Sequence, residues 1–235
     1  MKFKAVIFDL FGTLVEPSDP AGDARQMRKT SSILKLEHEK FIKLYDETFE
    51  RQQTGGFKTI NEYLVFACQE FGAPVKASDI DYARTDWLDY LIATMAPRMY
   101  AGETLTELKK KNKKIALLSN CTMDIPEIWP RISIAKFFDI TIFSSECGLQ
   151  KPDPGIYKLA LEKLSVKPEK CLFIDDNIEN LEAAERAGIK SVLIRYAGES
   201  NPPAGVKPAG PPPAWQGLTI TALPEVLDIL EKAHE

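Results

Sequence analysis

Residues 170–195 read KCLFIDDNIENLEAAERAGIKSVLIR. Lys170 to Asp175 is an apolar run ending in paired aspartates, Ile178 to Ala187 has helical spacing, and Ser191 to Arg195 is apolar again. Short apolar runs bounded by turn residues are the pattern of strands buried on both faces, and strand–helix–strand at this length is a parallel crossover. The rhythm extends upstream through a helix at Gly155 to Leu164, strands at Ile140 to Ser144 and Lys114 to Ser119, and a helix at Glu103 to Lys111. Lys4 to Leu10 is a further buried strand, and Leu218 to Thr221 with Pro224 to Lys232 adds a last strand and helix. Such alternation predicts an α/β fold, a Rossmann-like doubly wound parallel sheet with helices on both faces.

One region breaks the rhythm. From about Ala21 to Ile92 strand-like runs vanish and apolar residues such as Phe41, Leu44, Tyr45 and Phe49 recur at helical spacing. Gly55-Gly56 and Gly72-Ala73-Pro74 punctuate it, which predicts about four helices. The expected organisation is a core domain of residues 1–15 and 95–235 interrupted by an all-helical cap domain, 16–94. Hinges are expected near Glu16–Pro20 and Thr94–Pro97. Between Ala197 and Gln216 six prolines and three glycines rule out a helix or central strand, leaving a surface loop with Trp215 anchoring its end.

Composition narrows the function. The 235 residues carry a net charge of −4 with both signs mixed, which argues against a general nucleic-acid binder. No apolar run is long enough for a bilayer, so no membrane partner is expected. Asp9 interrupts the apolar stretch of MKFKAVIFDLFGTL, which reads as a buried strand rather than a signal peptide. Four scattered cysteines lack metal-binding spacing and read as reduced thiols in a cytoplasmic setting. A monomer or homodimer acting on a small molecule is expected.

Active sites of open parallel sheets lie at the carboxyl ends of the strands. Asp9-Leu10-Phe11-Gly12-Thr13, Ser119-Asn120, Lys151-Pro152-Asp153-Pro154 and Asp175-Asp176-Asn177 all fall there. An aspartate before a turn is commonly a cap, but together these place three carboxylates, a lysine and a hydroxyl around one crevice. Carboxylates buried together call for a cation, and an oxygen-rich site suits Mg2+.

FDLFGTL (Phe8 to Leu14), LLSN (Leu117 to Asn120), KPDPGIY (Lys151 to Tyr157) and FIDDNIEN (Phe173 to Asn180), in this order, resemble the four motifs of the haloacid dehalogenase-like (HAD) superfamily. The helical insertion resembles the C1 cap of the subfamily that includes dehalogenases, phosphoglycolate phosphatases and phosphoglucomutases. The resemblance implies that Asp9 is a nucleophile forming an aspartyl intermediate. It implies that Asp9, Asp176 and the backbone carbonyl of Phe11 hold Mg2+, with Asp175 a ligand directly or through water. Thr13 would orient Asp9, Ser119 and Asn120 would bind the phosphoryl group, and Lys151 would neutralise its growing charge.

One position departs from the pattern. Family phosphatases usually carry an acid two residues after the nucleophile, where this chain has Phe11. A positioned acid contributes about 10²–10⁴ in rate. Three readings stay open. A phosphatase could take a substrate with a good leaving group or draw a donor such as His38 from the cap; His234 sits in the last residues. A 2-haloacid dehalogenase needs no acid, with Arg25 and Arg28 as candidate anion contacts. A non-catalytic member would bind a phosphorylated ligand or a protein. The paired Asp175 and Asp176 favour the phosphatase. Phe57, Tyr63, Phe66 and Trp87 read as insertion core rather than cavity entrance.

Overall fold

Strands with no polar alternation, such as Ala5–Phe8, need apolar cover on both faces, and the chain supplies it from two sets of helices. The computed structural model describes residues 3–17, 19–196 and 215–232. Strand β1 (Ala5–Phe8) is followed by five helices: α1 (Pro20–Ile33), α2 (His38–Glu47), α3 (Phe49–Gln53), α4 (Ile60–Glu70) and α5 (Ala77–Thr94). Then come α6 (Ala101–Lys110), β2 (Lys114–Ser119), α7 (Asp124–Ile128), β3 (Ile140–Phe143), α8 (Ser144–Cys147) and α9 (Pro154–Leu164). The chain continues with β4 (Cys171–Asp175), α10 (Ile178–Arg186), β5 (Lys190–Ile194), β6 (Leu218–Ile220) and α11 (Glu225–Lys232).

The six strands form one sheet in the order β3-β2-β1-β4-β5-β6, every pair parallel. The expected doubly wound α/β architecture is the observed one. Ala5, Ile7, Ala116, Leu118 and Phe173 pack with Ile156, Tyr157 and Ala160 of α9 and Leu181 of α10. The alternate residues Val6, Phe8, Ile115, Leu117 and Ile174 pack with Leu105 and Leu108 of α6 and Val226 of α11. Helix ends are locally encoded: Asp153 accepts a hydrogen bond from Gly155 N ahead of α9, and Asn177 from Glu179 N ahead of α10.

Residues 20–94 contribute no strand, in line with the expected helical insertion, but hold five helices rather than about four. The extra one, α3, has five residues, too few for an amphipathic period to show in sequence. Thr48 closes α2 and opens α3, its hydroxyl donating to Leu44 O at 2.6 Å. The insertion has its own aromatic core, with Tyr63 edge-on to Phe57 at 5.4 Å and to Tyr45 at 5.7 Å. Where the chain leaves and re-enters the sheet layer the two crossings are tied: Val15 bridges Pro97, Arg98 N donates to Leu14 O, and Arg98 pairs with Glu16 at 3.1 Å. Among the described residues no helix is long and apolar enough to cross a membrane. The proline-rich segment expected as a surface loop lies, apart from Trp215 and Gln216, outside the described residues.

Candidate active site

The strand order reverses between β1 and β4, which opens a crevice at their carboxyl ends. Phe8 pairs with Ile174 and Asp9 N donates to Ile174 O at 2.9 Å, so Asp9 and Asp175 leave adjacent strands side by side. Lys151, brought in after β3, bridges them: its Nζ lies 2.5 Å from Asp9 Oδ1 and 2.7 Å from Asp175 Oδ2. Asp175 also accepts from Asn177 N at 2.7 Å and from Asn180 Nδ2 at 3.1 Å and 3.2 Å. Asp176 faces the turn after β1, where Gly12 has φ +79° and a Cβ would sit 2.4 Å from Asp176 Oδ2. Glycine permits both the left-handed backbone and that approach.

Asp9, Asp175 and Asp176 each offer a carboxylate oxygen within 4.8 Å of the others, and all three are buried. Burial raises Asp9 from 3.8 to about 6, Lys151 opposing this and Asp175 adding to it. Burial raises Asp176 to about 8, with Asp175 and then Asp9 contributing. Burial would lower Lys151, but Asp175 and Asp9 outweigh it and hold the ammonium above its ordinary range. Among the described residues one lysine thus faces three buried carboxylates, an all-oxygen set short of positive charge, and these residues fit a hard divalent cation.

This imbalance predicts a pH dependence. Asp9 and Asp176 take up protons more readily folded than unfolded, so between about pH 4 and pH 8 the native state binds more protons and metal-free stability falls as pH rises. Melting in EDTA is expected to show a midpoint declining from pH 5 to pH 8; a flat or rising midpoint would contradict the electrostatic picture.

Asp9, Asp175, Asp176 and Lys151, expected together, are together. Ser119 ends β2, Asn120 follows it, and Thr13 follows β1. Both ends of the Asn120 amide are spent on the Lys151 backbone, Oδ1 accepting from Lys151 N and Nδ2 donating to Lys151 O, each at 2.8 Å. Asn120 thus positions Lys151, and it also lines the cavity. Ser119 is fully buried beside the Cys121 thiol. Thr13 is likewise buried, its Oγ1 unpartnered among the described residues, so Lys151 rather than Thr13 holds Asp9. Phe11 lines the cavity. His38 does not; its Nδ1 lies 3.2 Å from Ser31 Oγ, inside the insertion. Arg25 pairs with Asp19, and neither it nor Arg28 lines the cavity. His234 lies outside the described residues.

A cavity of about 450 Å³ rises from the carboxylates to the helical insertion, which supplies Asp23, Gln26, Tyr45, Phe49, Trp87 and Tyr90 to its walls. Trp87 is buried in the insertion core as read and also lends an edge to the cavity wall. Its Nε1 donates to Asp124 Oδ2 at 2.8 Å, a buried bond from α5 to the start of α7, while Thr122 Oγ1 donates to Oδ1 at 2.5 Å. Arg84 of α5 also pairs with Glu127 of α7. Sequence reasoning missed Asp124, and it quoted Asn177 and Asn180 within their motif without giving them a role. FIDDNIEN carries the signal for the two asparagines, since the first turn of a helix after a strand-end aspartate faces back toward it. Trp87→Phe keeps the ring but strands a buried carboxylate oxygen, and is expected to cost about 1–3 kcal/mol in urea denaturation; an unchanged midpoint would show that the bond contributes nothing.

A model of the haloacid dehalogenase-like hydrolases matches residues 3–188. The chain belongs to this family. Phosphoglycolate phosphatase of Aquifex aeolicus is 28% identical to this HAD hydrolase over 195 residues, covering 82% of this chain and 85% of that protein. Glyceraldehyde 3-phosphate phosphatase of Pyrococcus furiosus is 27% identical over 240 residues, covering 99% and 95%. A HAD enzyme of Bacteroides thetaiotaomicron, solved in complex with magnesium and inorganic phosphate, superposes with a TM-score of 0.64 at 24% identity, covering 84% of this chain and 96% of that one. At this level of identity the likeness to solved structures, a dehalogenase among them, shows the fold alone.

Proposed function

We propose that this HAD hydrolase is a magnesium-dependent phosphatase of small phosphate monoesters, with Asp9 as its nucleophile. The observation that carries the reading is the buried trio of Asp9, Asp175 and Asp176 with a single balancing lysine. The phosphatase activities named for the relatives support it. Asp9, Asp176 and the Phe11 carbonyl would hold Mg2+; Asp175, with both oxygens engaged by Lys151, Asn180 and Asn177, would reach it through water. When bound, the ion offsets repulsion between the carboxylates and a phosphate dianion.

The remaining work falls to the chain itself. An oxygen of Asp9 attacks phosphorus, the new O–P bond forming as the ester O–P bond breaks, and water then cleaves the aspartyl phosphate to return the carboxylate and release phosphate. Lys151 stabilises charge on the transferring group, and Ser119, at the carboxyl end of β2, is assigned to a phosphoryl oxygen. With phenylalanine at position 11 no acid at that position protonates the departing oxygen, so rates are expected to favour good leaving groups. Residues 16–94 are assigned as the cap domain on the core of 1–15 and 95–235, hinged near Glu16–Pro20 and Thr94–Pro97 and excluding water when closed. Four unpaired thiols, three of them buried, support a cytoplasmic setting.

Hydrolysis of p-nitrophenyl phosphate, measured with Mg2+ and with EDTA beside halide release from 2-chloropropionate, tests the reading. Phosphate release that EDTA abolishes is expected. Halide release that is indifferent to EDTA would replace this reading with the dehalogenase one.

A further inference from the structure

The cavity wall beyond the phosphate site is acidic and aromatic. Asp23 of α1 accepts from the Tyr90 hydroxyl at 2.8 Å, and Asp124 accepts from Trp87 Nε1 at 2.8 Å, so each carboxylate is fixed beside an aromatic ring. Tyr45, Phe49 and Phe11 add apolar surface. Among the described residues lining the cavity the only cation is Lys151, already engaged by Asp9 and Asp175. A second anion on the substrate would meet the like charge of the Asp23 and Asp124 carboxylates, an unfavourable juxtaposition once water is removed. Hydroxyl or ammonium groups would instead donate to the acidic wall, while an apolar body packs on the rings and an ammonium gains cation–π attraction.

We infer that the cavity selects phosphate monoesters whose alcohol carries hydrogen-bond donors and no second anion, and discriminates against those bearing a carboxylate or another phosphate. This specificity rests on the phosphatase reading above and deepens it.

Two substrate pairs with matched skeletons test it: glycerol 3-phosphate against 3-phosphoglycerate, and phosphoethanolamine against phosphoglycolate, with p-nitrophenyl phosphate as a common reference in Mg2+. In each pair kcat/KM is expected to be at least about tenfold higher for the uncharged or cationic alcohol. A larger ratio in the second pair would mark the donor as an amine, and a larger ratio in the first as a hydroxyl. Asp23→Asn, normalised to its own p-nitrophenyl phosphate rate, is expected to narrow the ratios; if that variant fails to fold, the wild-type ratios decide alone. Turnover of p-nitrophenyl phosphate with ratios at or below unity in both pairs would overturn this inference and leave the phosphatase reading standing. No turnover of any phosphate would overturn both.

Discussion

Asp9→Asn is expected to lower phosphate release by about four orders of magnitude or more while leaving the fold intact. The amide matches the carboxylate in shape, so the pairing of β1 with β4 and the turn at Gly12 are unaffected. It cannot attack phosphorus and release it again as a carboxylate does. Electrostatics point the other way for stability, because burial makes the Asp9 charge unfavourable to the fold at pH 7 and Lys151 keeps Asp175. The metal-free variant should therefore melt at or above the wild-type temperature at pH 7. Loss of turnover with a preserved or raised midpoint separates chemistry from unfolding. Retention of more than a tenth of the activity would remove Asp9 from the nucleophile's role.

Lys151→Met is expected to damage fold and activity together. Lys151 Nζ is almost wholly enclosed and bridges two carboxylates that are themselves nearly inaccessible. Methionine fills similar volume but leaves those charges uncompensated, a situation that typically costs about 3–5 kcal/mol. Urea denaturation in EDTA at pH 7 should show that loss. Part of it should return as pH is lowered, since protonating the carboxylates removes the repulsion. With Mg2+ present, kcat is expected to fall by about 10²–10³, the scale of removing one charge-stabilising donor. A variant as stable and active as the parent would mean that the ammonium is not what neutralises the cluster.

These residues were legible to different degrees in the sequence. Strand β2 falls at Lys114 to Ser119 as expected, because a parallel strand buried on both faces leaves a continuous apolar run. The gathering of Asp9 and Asp175 was also readable, since both end such runs and a doubly wound sheet aligns the carboxyl ends of its strands. Helix α3 was not, because five residues give too short a period to detect. The bond from Trp87 to Asp124 spans 37 residues and depends on how the insertion seats on the sheet, which no local pattern records. The pairing of Asn120 with the Lys151 backbone was not readable, since it emerges only when two loops meet. Phe11 was visible as an exception, and the structure leaves it on the cavity wall.

The most direct measurement stops the wild-type reaction with acid during the first turnover and identifies any covalent group on the peptide carrying Asp9. A phosphoryl group on the Asp9 side chain, stable in acid, lost in alkali and absent from Asp9→Asn, is the predicted result. Phosphate formed in that first turnover with Asp9 left unmodified, or modified instead by the organic part of the substrate, would contradict the account.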